Sequence, residues 1–213
     1  HMYTRPTLLA FGLWVLDDLP LYFKMSKAEL AALRKIATPL SLPGLLRVND
    51  TGCEPSAPDA DWQQGWYAAA QRLDSPNFGP RPAGACIDLL VIHSISLPPG
   101  QYGGNEVQAL FTNQLDWDAH PYFAQIRGLQ VSSHFYVRRD GALWQFVSCN
   151  DRAWHAGASH YRGRSNCNDD SIGIELEGLE SDTFEVAQYE SLSQLCNALK
   201  QHYPIAHLAG HEH

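Results

Sequence analysis

The run Cys86-Ile87-Asp88-Leu89-Leu90-Val91-Ile92-His93 decides the fold class. It is nearly continuous in apolar residues, the pattern of a strand covered on both faces. Ser171 to Leu176 (SIGIEL) reads as a second short buried strand. His134 to Arg138 (HFYVR) and Leu143 to Val147 (LWQFV) flank Asp140-Gly141, a hairpin signal. Asp182 with Glu185 predicts a helix cap, and Tyr189, Leu192, Leu195 and Leu199 form one stripe behind it. Trp62, Trp66, Ala69 and Leu73 also fall at helical spacing. Strands, helices and a hairpin together predict an α/β domain built around a mixed sheet.

Working outward, the chain of 213 residues divides near residue 58. Asn49 to Ala60 (NDTGCEPSAPDA) concentrates turn-forming residues and reads as a linker. Before it, Ser26-Lys27-Ala28-Glu29 fits a capping box, and Leu30, Leu33 and Ala37 share a helical face. Residues 1–58 are thus expected to be a partly helical extension of unknown role, starting with His1-Met2, which reads as a tag remnant. Residues 59–213 are expected to carry the activity.

Composition narrows the function. Fifteen Lys and Arg against 23 Asp and Glu give a formal net charge of −8, which disfavours duplex nucleic acid and anionic membrane surfaces as partners. No apolar run is long enough to span a bilayer. Leu8 to Leu16 (LLAFGLWVL) has the length of a secretory h-region, but Asp17, Asp18 and Pro20 follow it where small residues should lead to cleavage. Cys53, Cys86, Cys149, Cys167 and Cys196 are odd in number and scattered, as a reducing compartment tolerates.

The chemistry-bearing residues are few. His93 closes a buried strand, His155 sits in Trp154-His155-Ala156-Gly157, and Gly210-His211-Glu212-His213 ends the sequence. Glu175 lies mid-strand between Ile174 and Leu176, where a carboxylate is costly without a partner or a task. Glu177 shares its face by strand periodicity, and spacing alone does not choose between them. His93, His211 and a carboxylate are what a zinc hydrolase needs if the fold converges them.

Seven blocks, collinear from about Trp62 to His211, resemble the AmpD-type N-acetylmuramoyl-L-alanine amidases. They are His93 to Gly100 (HSISLPPG), Ala109 to Phe111, His120 to Phe123, Arg138 to Gly141, Arg152 to Gly157 (RAWHAG), Cys167 to Asp169, and Ser171 to Gly178 (SIGIELEG). The resemblance implies the fold shared with peptidoglycan recognition proteins and phage amidases, a central mixed sheet flanked by helices, with zinc in a groove. It implies that His93 and His211 are zinc ligands and that Glu175 is the carboxylate acting on the attacking water. It also implies that His155 lines the groove, where it would bind substrate or steady the transition state. Trp154, Arg164 and Asn168 are the expected substrate contacts. The implied substrate is a muropeptide, in its 1,6-anhydro form, cleaved between N-acetylmuramic acid and L-alanine by a cytoplasmic monomer.

Three departures qualify the expectation. The family's third zinc ligand, an aspartate, and a catalytic lysine lie in a Lys-x-Asp-Pro-Gly segment that the sequence to His213 does not include. Residues before about 58 have no counterpart in the short family members. Asn166 stands where the family often has arginine, which weakens the expected recognition of a stem-peptide carboxylate. The alternative function is therefore a muropeptide-binding module without catalysis. A cysteine hydrolase using Cys167 and His155 is a weak third.

Overall fold

The computed structural model describes Cys53, residues 60–179 and residues 183–210. The helix expected over residues 26–37 lies outside the described residues. The centre of the molecule is a six-stranded sheet made of β1 (Gln71–Arg72), β2 (Leu89–Ile95), β3 (Phe135–Val137), β4 (Leu143–Gln145), β5 (Ser171–Glu177) and β6 (His207–Gly210). Their spatial order is β6-β2-β5-β3-β4-β1. β5 runs parallel to both β2 and β3, β6 is parallel to β2, and β3 meets β4 antiparallel. The mixed sheet is the one expected from the apolar runs.

Among the described residues, three α-helices accompany it: α1 (Glu106–Phe111), α2 (Pro121–Gln125) and α3 (Val186–His202). The long α3 carries the predicted stripe, and Tyr189, Leu192, Leu195 and Leu199 are all buried in one core with Leu90, Ile92, Ile172, Ile174 and Leu176. Each fully buried Leu or Ile adds about 1.5–3 kcal/mol relative to an exposed one, so tertiary packing rather than propensity holds this helix. Its capping box lies three residues later than the expected one. Glu185 is the cap, and its backbone N–H donates to Gln188 Oε1 at 3.0 Å.

The helix expected from Trp62 to Leu73 is a correction. Trp62–Gln63 and Trp66–Tyr67 pair as a short antiparallel hairpin, followed by β1. The turn between them puts Gln64 at φ 49° and Gly65 at φ 79°. That Gln-Gly pair folds the chain back on itself, and the indoles' apparent helical spacing becomes cross-strand packing, with Trp62 stacked on Tyr67 at 4.8 Å.

Candidate active site

Register decides where the polar residues go. In β5, Ile172, Ile174 and Leu176 face α3, while Ser171, Gly173, Glu175 and Glu177 fall on the opposite face. On β2 the matching partners are Leu89, Val91, His93 and Ile95. Glu175 therefore lies directly beside His93 on one side and beside Tyr136 of β3 on the other. Parallel in-register pairing gives the histidine and the carboxylate one face and one level of the sheet, although 82 positions separate them in sequence.

A cleft of about 410 Å³ opens over this face, lined by Glu175, His155, Trp154, Asn168, Ser132 and Ile95 among others. Glu175 is buried, and its Oε2 has no hydrogen-bond partner among the described residues. Burial pushes its carboxyl up to about 8, the direction expected when a charge loses water without gaining a counter-ion. Glu177 is engaged quite differently. Its Oε1 accepts the Gly103 N–H at 2.5 Å and its Oε2 accepts the Arg139 N–H at 2.9 Å. It ties two loops together, whereas Glu175 faces the cleft.

His155 reaches the sheet from the loop after Ala153. Its ring lies against Gly173, where a Cβ would sit 2.4 Å from the His155 Cγ, so only glycine leaves room for it. Its Nδ1 is 2.9 Å from His93 Nε2, and its Nε2 is 3.0 Å from Ser171 Oγ. Asn168 holds the loop: its Oδ1 accepts the backbone N–H groups of His155 and Ala156 at 3.1 and 2.9 Å. His134 lies beneath, fully buried, and its Nδ1 accepts the Gly173 N–H at 3.0 Å. Burial first, and the nearby Arg81 guanidinium second, drive His134 down to about 3, so it is a neutral strut of the floor. Arg81 itself donates to the carbonyls of Cys149, Asn168, Asp169 and Ser171, gathering the segment that carries Asn168 and Ser171.

The expected site residues thus divide. His93, His155 and Glu175 come together, and Trp154 and Asn168 line the same cleft. Arg164 is not among the cleft-lining residues; its guanidinium bridges Asp88 at 3.1 Å and Asp170 at 2.7 Å. His211 and His213 lie outside the described residues, and so does the expected approach of His211 to His93. The strand leading to His211 does pair with β2, ending with Gly210 opposite Ile92. Among the described residues, no group of three or more His, Cys, Asp or Glu side chains is placed to hold a metal. Cys167 is buried and its thiol is pushed up by that burial, the opposite of an activated nucleophile. Ser171, Gly173 and Arg81 are the residues that sequence reasoning missed. The alternation Ser-Ile-Gly-Ile-Glu was a signal for the first two, since small and polar residues recur at every second position.

Known proteins are similar to this chain. Residues 83–213 match the family model described as N-acetylmuramoyl-L-alanine amidase. The chain belongs to this amidase family. The 1,6-anhydro-N-acetylmuramyl-L-alanine amidase AmpD of Citrobacter freundii is 50% identical over 150 residues, covering 70% of this chain and 80% of that protein. AmpD of Escherichia coli K12 is 48% identical over 151 residues, 70% of this chain and 82% of its own. The crystal structure of a selenomethionine AmpD derivative superposes with a TM-score of 0.65 at 49% identity, covering 67% of this chain and 80% of that one. The amidase is accordingly a hydrolase with the expected sheet architecture. The AmpD relatives also weigh against the binding module as the alternative.

Proposed function

We propose that this amidase hydrolyses the bond between the lactyl group of N-acetylmuramic acid, in its 1,6-anhydro form, and L-alanine of a muropeptide, in cell-wall recycling. The observation that carries the reading is Glu175: a buried carboxylate with an unpartnered oxygen, facing a cleft, level with a histidine on the next strand. A fold keeps so costly a group where it has a task. The substrate class follows the AmpD relatives. With it go a cytoplasmic address and a monomer acting on a soluble fragment.

The donor chemistry suits zinc, which takes imidazole nitrogen and carboxylate oxygen. The orphaned Glu175 Oε2 beside His93 fits a site where the carboxylate serves water and the imidazole serves the metal. His93 and His211 would hold the ion, which when bound polarises the amide carbonyl and acidifies water. The rest is done by the chain. Glu175 accepts a proton from the attacking water at Oε2 and delivers it to the departing nitrogen of L-alanine. Its raised pKa suits it to hold that proton between the two transfers. Trp154 and Asn168 wall the cleft in which the amide is oriented. His155, at hydrogen-bond distance from His93, forms a further wall of the same cleft.

The test compares Glu175→Gln with Glu177→Gln on an anhydromuropeptide. The first should lose hydrolysis at least a hundredfold with zinc content unchanged, since removing a general acid-base costs about 10²–10⁴ in rate. The second should lower Tm, because the side chain that accepts from two loop N–H groups is altered, yet hold its rate per folded molecule. Equal loss of rate in both would contradict the assignment.

A further inference from the structure

We propose that Cys53 and Cys86 are a reversible dithiol–disulfide pair, whose oxidation ties the chain ahead of residue 60 covalently to the foot of β2. The two are far apart in sequence and close in space. Both are reduced, Cys53 at the surface and Cys86 half-buried. Thirty-three positions separate them, yet their side chains hydrogen-bond each other. Thiols in such contact meet the first condition for a disulfide, which fails when two side chains point apart. Cys149, Cys167 and Cys196 are buried within the apolar clusters, away from any small reagent.

The backbone around Cys86 is held still. Just before it, the Ala85 N–H donates to the Pro82 carbonyl at 3.0 Å and closes a turn. Just after it, Ile87 is buried. The Asp88 N–H then donates to the Asp170 carbonyl at 3.2 Å, and the Asp88 carbonyl accepts the Ala206 and His207 N–H groups at 2.9 and 3.0 Å. Arg164 bridges the Asp88 carboxylate at 3.1 Å. Cys86 is thus the fixed partner, and Cys53 is the exposed one that a reagent reaches. The pair sits at the end of β2 away from the cleft. Seven positions lie between Cys86 and His93, about 23 Å where all are extended.

The reaction needs an oxidant, and a low-molecular-weight disulfide such as glutathione disulfide is the class that fits. The Cys53 thiolate attacks one sulfur of that disulfide, forming a mixed disulfide and expelling one thiolate. The Cys86 thiolate then attacks the Cys53 sulfur, forming the Cys53–Cys86 bond and expelling the second. Two electrons pass to the small disulfide, and the two protons released by the protein thiols end on its two leaving groups. Burial first, and then the contact with Cys53, pushes the Cys86 thiol up to about 12. Cys53 is therefore the sulfur that enters and Cys86 the one that resolves. A bond exposed at one end is of the labile kind that a reducing compartment opens again.

The experiment equilibrates the full chain with glutathione and its disulfide over a range of ratios, quenches with acid, and reads intact mass and non-reducing digests. The chain should lose two hydrogens and no more, with the Cys53 peptide linked to the Cys86 peptide. The other three cysteines should be alkylated only after denaturation. Oxidation should raise Tm by several degrees, because a closed loop restricts the unfolded chain. Turnover of an anhydromuropeptide should be unchanged, because the bond forms away from Glu175. Cys53→Ser and Cys86→Ser should each form no internal bond and show no dependence of Tm on the glutathione ratio. If either variant does not fold, the digest of the unaltered chain decides. A chain that carries glutathione on Cys53 and never loses two hydrogens would overturn the proposal. So would linkage between two chains in place of linkage within one, or an oxidised chain with unchanged Tm. Loss of turnover on oxidation would also overturn it, since the bond would then act on the cleft.

Discussion

At the scale of the residue, Glu175 is costly to bury, and the cost has a pH signature. Its carboxyl binds a proton more tightly folded, at about 8, than at the ordinary value of 4.5. Stability from that proton is complete below the ordinary value and is lost as pH rises through about 8. In the metal-free chain Glu175→Gln should therefore raise Tm by several degrees at about pH 9 and by little at about pH 5. Thermal unfolding of both proteins across that range checks it, and a difference independent of pH would show that the carboxyl is not held neutral by burial. The anomaly of a carboxylate between Ile174 and Leu176 was legible in the sequence. The choice over Glu177 was legible only through family resemblance. Which of two same-face carboxylates finds backbone N–H donors depends on loops at Gly103 and Arg139, far away in the chain.

At the scale of the element, β5 is the organising strand, since one face packs on α3 and the other carries the site. Its existence and near-complete span could be read from SIGIEL, because a buried strand is written in local apolar pattern. Its two neighbours could not, because parallel partners are set by topology. The segment 62–73 failed for a related reason: two indoles four apart satisfy a helix and also a tight hairpin, and Gln64-Gly65 chose the hairpin. Gly173 shows what the strand requires. Gly173→Ala would drive a Cβ to 2.4 Å from the His155 Cγ, so the ring must move off the strand. Overpacking of this kind costs about 1–3 kcal/mol, so the protein should fold with a lowered Tm and lose kcat per folded molecule. A crystal structure of the variant should show His155 displaced from His93. Full activity in Gly173→Ala would mean that the place of His155 is immaterial.

At the scale of the molecule, β2, β5 and β6 bring together residues from distant parts of the chain at one face of one sheet. β6 runs parallel to β2 up to Gly210, which lies opposite Ile92, the residue before His93. That meeting of strands, with the AmpD relatives, is the sheet of an N-acetylmuramoyl-L-alanine amidase. The collinear motifs made the fold legible at this scale, since few folds bring seven such blocks together in order. They did not disclose the place of Arg164, which bridges Asp88 and Asp170 and is not among the cleft residues. The most direct measurement is release of the L-alanine-terminated peptide from a 1,6-anhydromuropeptide, with zinc content determined on the same sample. Activity should vanish when a chelator removes the metal and return in proportion to zinc restored. Undiminished turnover by metal-free protein would contradict the account.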